Sequence, residues 1–222
     1  MLATHDTTAL DAAIDTEIRA ALASLRTELE LKLESSTAMA QPQSHPLGSH
    51  VHALAIGMVE DLTGFFVAAD TLENAAAVTG DDLEDKAQYW WSPSEWGWQY
   101  TGGTAPGIVT TEIWALAKGL PEGADDENEN GEYAALAGLY EERIILCLQR
   151  LRGEGELRNV QGEELWVWVH YADASNENID DTSFARLNDR ATAELFGKRW
   201  GGGLSAVLEE RFAVLQPEGR ET

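Results

Sequence analysis

The chain has 222 residues, of which 39 are Asp or Glu and 15 are Lys or Arg, giving a formal net charge of −24. A 44% hydrophobic content excludes a disordered chain, and the length suits one large domain or two small ones. The charge excludes direct binding of DNA, RNA or an anionic membrane, which requires clustered Lys and Arg. One cysteine, Cys147, excludes an intrachain disulfide. No apolar run reaches the roughly 18 residues of a membrane span, and no basic segment followed by an apolar one opens the chain. The expected protein is therefore cytoplasmic and free of membrane. The charge is uneven: residues 33–142 hold 19 acids and only two bases, Lys86 and Lys118. Such a field speeds encounter with a basic partner at low salt. It also serves solubility, or adaptation to high salt, the latter helped by the scarcity of lysine.

Residues 8–34 predict a long helix, with Leu10, Ile14, Ile18, Leu22, Leu25, Leu29 and Leu33 on one stripe and Thr8 with Asp11 as a capping pair. Residues 35–49, rich in Ser, Pro and Gln, read as a loop. Residues 51–59 and 64–70 alternate as two strands of a hairpin, followed by a short helix over 71–78. In Tyr89-Trp90-Trp91-Ser92-Pro93-Ser94-Glu95-Trp96, Ser92, Pro93 and Glu95 compose a capping box around one helical turn. Trp96, Trp98 and Tyr100 then alternate as on one strand face. Helices are expected over 107–120 and 132–151, with a loop over 121–131 between them. A strand over 164–171 and helices over 183–197 and 204–214 complete the chain. Grouped strands imply a single α+β domain over 1–222, with one antiparallel sheet and helices packed against it.

Candidate chemistry is sparse. Asp126, Asn128, Asn130 and Gly131 match the first half of a calcium loop, but Ala137 stands where its closing glutamate is needed, so a solvated loop is the better reading. His50 and His52, two apart on a strand with His45 nearby, fall short of the three or four ligands of a metal site. Cys147, between Leu146 and Leu148, reads as an inert buried thiol. There is no nucleophile elbow, zinc-helix motif or phosphate loop. No catalytic residue, metal or cofactor is expected.

The Trp90-Trp91-Ser92-Pro93-Ser94-Glu95-Trp96 segment resembles that of the bacterial family known as domain of unknown function 4303. Ala68 to Asn74 and Phe184 to Asn188 fit the same family more loosely. Trp98, Tyr100 and the 122–131 loop have no counterpart in it. The resemblance covers roughly residues 10–200 as one domain. It carries no catalytic residues. It implies a place beside polymorphic toxin genes, and hence an immunity role in a toxin–antitoxin pair. With the acidic field, the expectation is a non-enzymatic protein that binds a cognate, basic toxin domain. Asp81, Asp82, Glu84, Asp85, Asp125, Asp126, Glu127 and Glu129 would steer the partner, and exposed Trp96 and Trp98 would anchor it. The alternatives are an uncharacterised enzyme or a glycan or small-molecule binder using aromatics and carboxylates, a nucleic-acid mimic, and a salt-adapted housekeeping protein.

Overall fold

The computed structural model describes residues 6–37, 50–59, 62, 65–102, 107–118, 132–159, 161–172 and 177–215. Helix α1 (Thr8–Thr37) leads into strand β1 (Val51–Met58), strand β2 (Phe65–Thr71) and helices α2 (Leu72–Ala77) and α3 (Leu83–Trp90). Strand β3 (Trp98–Tyr100) and helices α4 (Ile108–Ala117) and α5 (Glu132–Gly153) follow. Strand β4 (Trp166–Tyr171) precedes α6 (Glu177–Leu187), α7 (Arg190–Phe196) and α8 (Leu204–Arg211). The α+β class and the long first helix agree with the sequence reading. The sheet differs. Its order is β3-β2-β1-β4, with the first two pairings antiparallel and the β1–β4 pairing parallel, so it is mixed.

Both faces of the sheet are covered. On one face Leu54, Ile56 and Met58 of β1, Val67 and Ala69 of β2, and Val167 and Val169 of β4 pack on α1, α4 and α5 through Ile14, Ile18, Ile113 and Leu148. On the other, Ala53, Ala55 and Ala68 leave room for Trp90, Trp91, Trp96, Trp168, Phe184 and Phe196. Gly57 continues this row of small residues. A Cβ there would fall 1.9 Å from the ring of Phe66, its cross-strand neighbour, so only glycine fits.

Strand β4 is an edge strand, and α6 covers its outer side. Val169 N–H donates to Ser183 Oγ at 3.0 Å, and Ser183 Oγ donates back to Val169 O at 3.2 Å. Val167 N–H donates to Asn188 Oδ1 at 3.1 Å, while Asn188 Nδ2 donates to Val167 O at 2.7 Å. Two side chains thus stand in for a fifth strand.

Several local expectations change. Asp6, rather than Asp11, accepts from Thr8 N–H, at 3.0 Å. Asp11 is held by Thr7 and by Arg143 of α5, which donates through Nε and Nη2 at 2.5 Å each. Ser92 makes no cap to the Pro93–Glu95 turn, its hydroxyl donating back to Gln88 O at 2.5 Å. The single helix expected over 183–197 is two, α6 and α7. The break falls where Asn188 turns to β4 and Asp189 caps α7 by accepting from Thr192 N–H. Helix α3 had no counterpart in the sequence reading. The loop expected over 35–49 starts later than that, since α1 runs on to Thr37; its 38–49 part and the expected 121–131 loop lie outside the described residues.

Asn188→Ala removes both partners of the Val167 edge. It should destabilise the fold by roughly 1–3 kcal/mol, and amide exchange at Val167 should accelerate far more than at Ile56. Equal exchange at Val167 in variant and wild type would show that the edge is held some other way.

Candidate interaction surface

The tryptophans of the aromatic-rich segment are core, which corrects the role expected for Trp96 and Trp98. Trp96 is 6% exposed and Trp98 is 8% exposed, so neither offers a ring to a partner. Trp96 Nε1 donates to Trp90 O at 3.2 Å, and its ring stands edge-on to Trp168, with centroids 5.2 Å apart. Trp90 donates to Ala75 O at 2.8 Å, fastening α3 to α2, and Trp91 donates to Ser205 Oγ at 2.7 Å. These are interior tryptophans with their polar edges satisfied.

Helix α3 forms for local reasons. Asp82 caps it by accepting from Asp85 N–H at 3.0 Å, and Glu84 and Asp85 place negative charge in its first turn. Ala87 and Trp90 face the core, so Glu84, Asp85, Gln88 and Tyr89 share the outer face. Asp81, Asp82, Glu84 and Asp85 are all exposed, and no ion pair among the described residues involves any of the four. Lys86, the base inside the run, turns to Glu209 of α8 at 3.0 Å and is half-buried. Tyr89, one helical turn beyond Asp85, is 53% exposed. The sequence reading thus identified the acids of this surface and the segment its aromatic comes from, 89–100, but named Trp96 and Trp98 in place of Tyr89. The signal for Tyr89 was available: helical spacing from Ala87 and Trp90 puts it on the polar side. Trp114 of α4, 42% exposed, lies with α4 on the opposite side of the sheet. Asp125, Asp126, Glu127 and Glu129, like the calcium candidates Asp126, Asn128 and Asn130, lie outside the described residues.

The histidines do not converge. A bulge between Val51 and Ala53 disturbs the expected period of two at His52. His50 meets Glu73, while His52, buried, places Nε2 3.2 Å from Asp70 Oδ2 and stands edge-on to Trp166. His170 lies 3.1 Å from Asp180. Among the described residues no group of three or more His, Cys, Asp or Glu could hold a metal ion. Cys147 lines a cavity of about 500 Å³ between α1 and α5 with Asp11, Asp15, Arg143 and Arg150. Burial pushes its thiol pKa up, which keeps it protonated and a poor nucleophile.

No helix among the described residues is long and apolar enough to cross a membrane. Comparison with protein-family models, with curated proteins and with solved structures finds no match.

Burial pushes the Asp180 carboxyl above its ordinary range, and contact with His170 and the charge of Arg199 oppose this only in part. The folded protein then binds this proton more tightly than the unfolded chain. The group's contribution to stability therefore falls as pH rises from 3.8 through the raised folded value. Asp180→Asn should escape that loss, so chemical denaturation should show the variant gaining on wild type from acid to neutral pH. A constant difference across that range would show an ordinary carboxylate.

Proposed function

We propose that the chain is a non-enzymatic acidic binding protein of the immunity type, which occludes the active surface of a cognate bacterial toxin domain. The observation that carries this reading is the N-terminal end and outer face of α3, where the exposed carboxylates of Asp81, Asp82, Glu84 and Asp85 lead up to the exposed ring of Tyr89. A nuclease-type toxin is basic because it must hold phosphate, so an acidic face complements the surface that must be blocked. Long-range charge sets the encounter rate, and a desolvated tyrosine at the centre of the contact sets residence time. Trp96 and Trp98 have no part in this contact. The carboxylates of residues 122–132 add to the same field by sequence.

Co-expression in a test host with the toxin-like domain encoded beside the gene should relieve the growth arrest that this domain causes alone. Arrest that persists with this chain present would overturn the immunity reading. With purified partners, replacing Asp81, Asp82 and Asp85 with Asn and Glu84 with Gln should slow association several-fold and flatten its salt dependence. Tyr89→Ala should instead speed dissociation, costing about 2 kcal/mol of affinity. On-rates that respond to neither salt nor these substitutions would remove α3 from the interface.

A further inference from the structure

The chain places its positive charge economically. Arg19, Arg26, Arg143, Arg150, Arg152, Arg158, Arg186, Arg190 and Arg199 each pair with a carboxylate. Arg211, at the end of α8, is the exception among the described arginines. It makes no hydrogen bond and no ion pair, and its guanidinium carbon lies 4.3 Å over the ring of Trp166. Burial draws its pKa down, opposed only by the charge of Glu163. The Trp166 ring offsets part of the cost of drawing this guanidinium from water, but no carboxylate is supplied to it, so its hydrogen-bonding edge is left open.

Arg211 is not on open surface. It lines a cleft of about 620 Å³ where the start of β4 meets the ends of α5, α6 and α8, a size typical of small-molecule sites. Arg152 lines the same cleft. Its Nη1 and Nη2 are committed to Glu164 at 2.6 Å, Leu165 O at 2.8 Å and Asn188 Oδ1 at 3.2 Å. Its Nε is buried with no partner. Leu165 and Leu187, 4% and 3% exposed, give the cleft a narrow apolar edge. An unpaired guanidinium and a narrow apolar edge therefore share one concavity, while the buried Arg152 Nε lies out of a ligand's reach.

We propose that this cleft binds a small organic carboxylate, the carboxylate pairing with the Arg211 guanidinium and the apolar remainder lying along Leu165 and Leu187. The planar fork of arginine matches a carboxylate with two parallel hydrogen bonds. Glu163, Glu164 and Asp189 line the cleft against Arg152, Arg186 and Arg211, so the lining is neutral by itself, and the whole chain around it carries −24, so each further negative charge on the ligand is repelled. A monoanion is thus favoured over phosphate. The carboxylate could belong to a free acid or to a peptide C-terminus, which share this chemistry. This inference stands independently of the immunity reading, because α3 contributes nothing to the cleft.

The test uses the full chain labelled with ¹⁵N, following the Arg211 Nε–H and Trp166 indole N–H signals during titration with sodium hexanoate at constant ionic strength. Both signals should shift saturably. Arg211→Gln, checked for folding by its dispersed spectrum, should weaken binding by about tenfold or more, and Arg211→Lys by several-fold. Competition by a short peptide with a free C-terminus, but not by its amide, would support the same site with a peptide as source. Non-saturating shifts, equal affinity in Arg211→Gln, or tighter binding of inorganic phosphate would each overturn the proposal.

Discussion

The fold depends on how little side chain the centre of the sheet carries on one face. Ala53, Ala55, Gly57 and Ala68 keep the surface of β1 and β2 low, and the space above is filled by Trp91, Trp96, Trp168, Phe184 and Phe196. Large rings over small residues fill the volume at the density of an interior without overpacking. The contacts follow ring electrostatics: Trp96 meets Trp168 edge-on, while Phe184 and Phe196 stack with centroids 3.8 Å apart. That layer draws α3, α6, α7 and α8 onto the sheet. It also decides which aromatics a partner can reach, because tryptophans needed as core cannot serve as anchors. Tyr89 is left outside because it occupies the helical position turned away from Trp90.

Placing β4 parallel to β1 creates a second requirement. The outer side of β4 would expose a row of unpaired N–H and C=O groups, and α6 removes it by lending Ser183 and Asn188 to the strand. Asn188 makes four such bonds, reaching Val167 twice, Phe184 O and Arg152. It must leave the helix to do so, which is why α6 stops at Leu187 and α7 starts afresh at Arg190. The same residue fixes Arg152 at the mouth of the Arg211 cleft, so the device that closes the sheet edge also shapes the concavity beside it.

Local periodicity made much of this legible. The stripe of α1, the alternation of β1 and β2 and the apolar run of β4 each carry their own period, and each element forms where that period runs. Direction of pairing carries no such signature. β4 is buried on both faces and reads as a continuous apolar run, which suits either orientation. The α6–α7 break was hidden because Asn188 and Asp189 are tolerated inside a helix and act here only through contacts remote in sequence. The acids 81–85 were legible as charge. The cleft was not, because Arg152, Trp166 and Arg211 come from three elements, Asn188 from the break between α6 and α7, and together they form no motif.

Charge is distributed by the same logic as the aromatics. Arg143–Asp11, Arg150–Asp15 and Arg26–Glu156 pair cations of one segment with acids of another along the seam of α1 with α5 and its C-terminal loop. Each exposed pair contributes little to stability, on the order of 0–1 kcal/mol. Their larger effect is on the field. By neutralising acids around α1, they leave the uncompensated charge on surfaces without arginine, such as α3. A chain with few bases and most of them committed to pairs therefore has a strongly directional potential. Within that potential, an unpaired Arg211 in a cleft is the one described arginine whose counter-ion the fold does not supply. In the proposed readings, that combination directs a cationic macromolecule to one surface and a single small anion to another.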